Sequence, residues 1–327
     1  MPIPSNRSYV GIAKELTRGT AVAPTASIPV TAVSVHDEIT QLLDTGLRGS
    51  MVDFFSATPG QAWSTWGCTG FSYPDTIGFW LASVLPDVVT TGAGPYVHVF
   101  APLNSGSGQP KGYSIADYSG LGATSGARYF PGAGVTDLTF KYDAMGTLTY
   151  DVKTVAYPSS LVPTAAPTKT FGTLLPTPGY FPTITIGGGA VTNVQSGDIK
   201  ISRPITAIHA ATGSAAPYNL FSGPVSVSGN MLVVAEDETE LLRYLNSTQP
   251  SLDINFAGTS GVNTGTILNF HSTSVVYTPA DVVRGKDYVE VQIAWKARAN
   301  TTDVGASTGY SAMKVSLTNT LPSGTFA

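Results

Sequence analysis

Hydrophobic and polar residues alternate with a period of two along much of the chain. Leu138, Phe140 and Tyr142 alternate with Thr139, Lys141 and Asp143, and Val225, Val227, Met231 and Val233 with Ser226, Ser228 and Asn230. Val289, Val291, Ile293 and Trp295 alternate in the same way with Glu290, Gln292, Ala294 and Lys296. Successive side chains of a strand point to opposite faces, so the pattern predicts strands with one buried and one polar face. A turn at Asp143-Ala144-Met145-Gly146 leads into Leu148–Tyr157, which predicts a β-hairpin. Helical spacing occurs twice. Ile77, Trp80, Leu81, Val84 and Leu85 repeat every three or four positions after Pro74-Asp75, and a second segment runs from Glu236 to Asn246 with Leu241, Leu242 and Leu245 on one side. Its acidic start, Glu236-Asp237-Glu238, suits the positive end of a helix dipole better than it suits a metal. The predicted class is mainly β: an antiparallel β-sandwich or barrel, duplicated, each copy flanked by one short helix.

The duplication is read from matching surroundings of the two helices. Gly67–Asp75 and Gly229–Asp237 are each a strand tail entering a helix, followed by Phe79-Trp80 and Leu241-Leu242. Further on, Leu148–Tyr157 resembles Val289–Arg298, each after a turn. The spacing between the two matches is longer in the first half, and the Gly/Ser-rich stretch Leu103–Gly126 takes the extra residues, because loops tolerate insertion. Between the halves, Pro158–Pro182 is rich in proline and almost uncharged, the composition of an extended connector. The expected organisation is a first β-domain over 1–157, a connector over 158–182 and a second β-domain over 183–327.

Composition narrows the function. The 327 residues include 42% hydrophobic residues, enough for a core, but only 12% charged ones, about half the usual share. Lys and Arg number 17 against 21 Asp and Glu, a net charge of −4. Such a balance is a poor match to duplex DNA, whose phosphates are gripped by clustered cations. One cysteine, Cys68, excludes an internal disulfide framework and a thiolate zinc cage. The N-terminus carries no secretory pattern and the apolar stretch Ile77–Val89 is too short to span a bilayer, so a soluble protein made in a reducing cytoplasm is expected. Without a secretion signal, the three sequons at Asn6, Asn246 and Asn300 carry little meaning.

Chemistry is hard to find. His36, His98, His209 and His271 are far apart and none has a ligand at metal spacing. His36-Asp37-Glu38 is the one acidic neighbourhood of a histidine, and adjacent strand residues face opposite ways. There is no G-x-S-x-G elbow, P-loop or H-E-x-x-H motif. Cys68 reads as a buried, inert thiol. No catalytic residue, cofactor or metal is expected. Phe54 and Phe55, adjacent in the Gly/Thr/Pro-containing stretch Asp44–Trp63, are candidates for an assembly loop, since exposed paired aromatics call for a partner to cover them.

The order of short motifs resembles one known family. Tyr9-Val10-Gly11-Ile12-Ala13-Lys14-Glu15, Arg18-Gly19-Thr20-Ala21-Val22-Ala23-Pro24-Thr25 and Ile28-Pro29-Val30 open the chain as they do in tail tube proteins of long-tailed bacteriophages. Lys111–Tyr118, Ala127–Gly132, the Val135–Val155 hairpin, the run from Ala280 to Ala297, Gly309-Tyr310-Ser311 and Val315–Asn319 follow in the family's order. The resemblance implies a non-enzymatic structural protein of the virion tail whose copies form stacked rings around a channel for the genome. Its implied partners are itself and tail proteins such as the tape measure, terminator and distal tail proteins; since most members build the wall from six single domains, the duplication read above favours a trimeric pseudo-sixfold ring over a hexameric one. DNA would pass through without specific binding, past a neutral to acidic wall for which Asp143, Asp151 and Glu290 are the candidate channel-facing residues. No membrane is involved. Competing classes are another virion β-protein (decoration or baseplate), a carbohydrate-binding or adhesin module, and a β-rich hydrolase.

Overall fold

The computed structural model describes residues 5–119, 126–161, 168–180, 182–211, 213–258, 261–284 and 287–326. In chain order the first half contains β1 (Tyr9–Lys14), β2 (Ala26–Ile28), β3 (Ala32–Asp44), β4 (Ser56–Phe71), α1 (Ile77–Val84), β5 (Asp87–Thr91), β6 (Tyr96–Ala101), β7 (Tyr113–Tyr118), β8 (Arg128–Asp143) and β9 (Thr149–Ala156). After β10 (Ser160–Leu161) come β11 (Pro182–Ile186), β12 (Gly189–Val191), β13 (Val194–Ser202), β14 (Ile205–Ile208), β15 (Asn219–Ser222) and β16 (Ser226–Val234). The chain ends with α2 (Thr239–Leu245), β17 (Leu252–Ala257), β18 (Ile267–Ser272), β19 (Val275–Val283), β20 (Glu290–Ala297) and β21 (Lys314–Asn319). The protein is mainly β, every strand pairing described is antiparallel, and the two α-helices fall where their periodicity placed them.

Two large sheets form a sandwich. One runs β3-β4-β9-β8-β13-β16-β20-β19, with β7, β1 and β2 added along the first part of the long strand β8. The other runs β12-β11-β17-β18-β21-β6-β5. Alternation decides which residues meet between them: Phe140 of β8 packs edge-on against Phe270 of β18 at 4.9 Å, and Tyr142 against Phe256 of β17 at 5.7 Å. At the other end α1 closes the sandwich. All eight of its residues are buried, Trp80 lies on Trp66 of β4 at 5.9 Å, and Phe326 stacks edge-on against Phe79 at 5.1 Å.

The two halves share both sheets. β8 pairs with β13 across the middle of the first sheet, and β21, the last strand, inserts between β18 and β6 in the second. One continuous core cluster contains Ile12 and Trp66 as well as Ile293 and Leu317. The core and both sheets thus run across 158–182, where a connector is expected from the sequence. That segment is held as well: Thr170 and Thr177 accept backbone hydrogen bonds from Ser27 and Leu148, and β10 pairs with β8, while 162–167 and 181 lie outside the described residues.

Within the first sheet the same arrangement occurs twice. The order β3-β4-β9-β8 is followed by β13-β16-β20-β19, each an outer hairpin strand, its partner, and then a second hairpin. Both second hairpins carry a one-residue bulge, between Val135 and Asp137 in β8 and between Tyr277 and Ala280 in β19. The bulges face the same places, because Val135 and Tyr277 lie opposite Thr154 and Trp295, and Leu138 and Ala280 opposite Val152 and Ile293. A helix follows β4 and β16 alike, and α1 packs on β8 as α2 packs on β19. The strand alignment from sequence is off by one residue. Cys68, not Thr69, occupies the position of Met231: Cys68 lies opposite Val152 as Met231 lies opposite Ile293, and both point into the core. A slip of one would turn every side chain to the wrong face. The extra stretch in the first half is also more than a loop, for it contains β7.

Candidate assembly surfaces

Three surfaces stand out from the sandwich. The first is a pair of arms. β3 and β4 continue together past the sheet as far as the Asp44–Ser56 pair, leaving a tip of residues 45–55 shorter than the Asp44–Trp63 loop expected from sequence. The tip carries apolar side chains with nothing over them: Leu47 and Met51 are fully exposed, at 103% and 104%, and Phe54 is 50% exposed. Phe55 differs from the expectation of two exposed rings. It is half-buried, with the Arg48 guanidinium 4.7 Å from its ring centroid and its N–H bonded to Asp44, so it closes the tip. The second arm, β14 with β15, is a separate two-stranded ribbon that springs from β13 and β16. It exposes Ile208, Tyr218 and Phe221. The arms touch, through the Ala62 N–H on Ala215 O at 2.8 Å and Trp63 against His209 at 5.7 Å. Sequence reasoning found the first arm by its aromatic pair and missed the second, whose apolar residues are spaced as an ordinary strand.

The second surface is the polar face of the first sheet. Opposite the core positions it carries Asp137, Asp143, Asp151, Asp198 and Asp281 with Lys141, Lys153, Lys200 and Lys296 interspersed. Asp143 is exposed at the strand end, and one of its oxygens accepts the Met145 N–H of the turn at 2.8 Å. Asp151 is half-buried between Thr69 and Thr139. Glu290 departs from the expectation of a channel-facing carboxylate: at 2% exposure, at the very start of β20 between Val234 and Val283, it presents nothing to solvent in the isolated chain. At the junction of β8 and β13, Lys200 Nζ lies 3.0 Å from Asp137, which also accepts a hydrogen bond from Ser202 Oγ. Burial pushes the Asp137 carboxyl up, but those two partners outweigh it and hold the group below the usual carboxylate range.

The third surface consists of the two ends of the eight-strand run of the first sheet. Among the described pairings, β3 pairs with β4 alone and β19 with β20 alone.

Elsewhere, three titratable groups are tied into the fold. His98 is buried, with Nδ1 2.9 Å from Thr90 Oγ1 and Nε2 3.1 Å from both Asn319 Oδ1 and Leu321 O; burial lowers its pKa. Cys68 is buried and its thiol is pushed well up by burial. Asp237 accepts the Thr239 N–H at 2.8 Å and is held low by that bond, which makes the acidic run before α2 a helix start. Among the described residues, no group of three or more His, Cys, Asp or Glu side chains is placed to hold a metal. A cavity of about 550 Å³ beside α1 is lined by Lys14, Asp75, Phe79 and Phe171 among others, with no histidine or cysteine. No helix among the described residues is long and apolar enough to cross a membrane.

A β-sandwich with apolar arm tips, open edges and one polar sheet face has the surfaces of a structural protein that assembles with others. The profile of the phage tail tube protein family matches residues 5–297, nearly the whole chain. The chain belongs to that family, which makes it a structural protein of the virion tail, of a typically non-enzymatic kind. A comparison with curated proteins finds no match.

Proposed function

We propose that copies of this chain assemble into rings, and rings into the tail tube through which the genome passes. Three chains make one ring, each supplying two tube-like units, 1–157 and 183–327, to a pseudo-sixfold wall. The observation that carries this reading is the repeated strand order with its repeated bulge, β3-β4-β9-β8 followed by β13-β16-β20-β19. The two blocks lie edge to edge in one sheet, as neighbours in a closed wall do, and a closed wall leaves neither end of that sheet open. Six chains per ring, with the second half as an outward decoration, fits less well, because the second block continues the sheet of the first.

In this arrangement the polar sheet face lines the channel, and its interspersed carboxylates and lysines give DNA no continuous cationic track. The arms, with Phe54 at one tip, reach the next ring. The tape measure, terminator and distal tail proteins are the proposed partners inside and at the ends of the tube. Electron microscopy of the purified protein tests the reading. Rings or tubes with three equivalent chain boundaries in end view are expected; six identical boundaries overturn the three-chain ring, and monomers at every concentration overturn self-assembly.

A further inference from the structure

We infer that the open edge of β19 pairs antiparallel with the open edge of β3 in a second copy of this chain, in the register that sets Asp281 opposite His36 and Val282 opposite Val35. The inference rests on the ring reading above and specifies the joint between chains.

The template is inside the molecule. β8 and β13 join the two blocks with Leu138 opposite Ile201, Thr139 opposite Lys200, Phe140 opposite Ile199 and Lys141 opposite Asp198. β8 and β19 hold the same place in their blocks, and Leu138 corresponds to Ala280, since these face Val152 and Ile293 after the shared bulge. β13 and β3 correspond likewise: Gly197 faces Met231 as Val33 faces Cys68, so Ile201 corresponds to Asp37. Carrying the internal joint onto the open edges gives Ala280–Asp37, Asp281–His36, Val282–Val35 and Val283–Ser34. Pro279 ends the pairing on one side, because it has no N–H to offer.

Exposure supports this register. At the internal joint the core-facing pair, Phe140 and Ile199, is fully buried, each at 0%. On β19 the core-facing residues Tyr277 and Ala280 are buried, yet Val282, next on the same side, is 39% exposed. On β3, Val35 packs on the core only in part, and its edge neighbour Val33 is 39% exposed. Core-side apolar surface is thus open at both edges: Val282, which the register sets against the half-buried Val35, and Val33, two residues along β3. No like charges meet in it, and Asp281 faces a histidine.

The test uses the full chain with Asp281→Cys plus His36→Cys, and separately with Val282→Cys plus Val35→Cys. Adjacent antiparallel pairs alternate between hydrogen-bonded and closer non-hydrogen-bonded geometry, so one of the two double variants suits a disulfide. The two edges lie seven strand spacings apart, about 33 Å at about 4.7 Å each, so a bond between them joins different chains. Native Cys68 is buried and does not compete. Mild oxidation of assembled protein is expected to give a ladder of cross-linked chains on a non-reducing gel in one double variant. The offset control, Asp281→Cys plus Ser34→Cys, is expected to give at least tenfold less. Rings without cross-links in either double variant overturn the joint and leave the ring reading standing. Equal cross-linking of the control overturns the register. Neither rings nor cross-links, from variants that keep the parent's unfolding temperature, overturns both. A ladder ending at six chains instead of three supports the joint and overturns the three-chain ring.

Discussion

The apolar tip of the first arm allows assembly to be separated from folding. Met51 is fully exposed and Phe54 half-exposed in the isolated chain, so neither contributes much to the folded monomer. If the tip is covered by the next ring, each gains what burial of its exposed part provides. A full side chain of this size contributes about 2 kcal/mol, so Met51 supplies about 2 and half-exposed Phe54 about 1 kcal/mol. The sum of about 3 kcal/mol corresponds to about a hundredfold in an equilibrium constant. Met51→Ser with Phe54→Ser is therefore expected to raise the concentration at which tubes appear by about a hundredfold, measured by sedimentation, and to move the unfolding temperature by less than about 2 °C. Phe55 is left in place because it closes the tip beneath Arg48. A loss of several degrees would mean that the tip supports the monomer. Tubes forming at the parent's concentration would mean that the next ring does not cover it.

Three further outcomes follow from the same geometry. Asp137→Asn removes a carboxylate whose pKa is depressed by Ser202 and Lys200; such a group stabilises above its unfolded pKa of about 3.9 and loses its effect as pH falls through the lower folded value. The variant is expected to be less stable than the parent at pH 7, with the gap closing below pH 3 in thermal unfolding, and a gap independent of pH would refute the assignment. Gly229→Ala places a methyl group 2.1 Å from Asp198 O and 2.6 Å from the Trp295 ring, so a loss of about 1–3 kcal/mol is expected in denaturant unfolding, and a neutral result would show that β16 can shift there. The assembled tube is expected to leave duplex DNA unshifted in a gel at physiological salt, and salt-sensitive micromolar binding would contradict the channel face proposed.

Local features of the fold were legible because local chemistry produces them. The Asp143–Gly146 turn and its flanking alternation give β8 and β9, and the spacing of Ile77, Trp80, Leu81 and Val84 gives α1. What joins the halves was not legible. Nothing in the alternation of Ile199 and Ile201 says that their strand pairs with β8 instead of with a strand of its own half, since any antiparallel partner with the same period would satisfy it. The bulge in β19 did leave a signal: Thr278-Pro279 interrupts an alternating run, and a proline inside such a run marks a bulge or an edge, which here are both present. Depth was not legible in the sequence. Glu290, at the start of β20 between Val234 and Val283, sits in the polar phase of its strand and is buried all the same, which alternation alone does not reveal.

The two joints of the proposed ring differ in strength for reasons visible in one chain. The internal joint has an aromatic ring against isoleucine, Phe140 beside Ile199, and the ion pair of Lys200 with Asp137. The joint between chains substitutes two valines and has no lysine–aspartate pair. The internal partner is also tethered, so its effective concentration is in the millimolar range or above, while a second copy must be found in solution. A ring of three tandem chains thus has strong and weak joints in alternation, and needs half as many encounters between molecules as a ring of six single units. On this reasoning a tube under stress parts between chains, at β19 and β3, before any chain opens at β8 and β13.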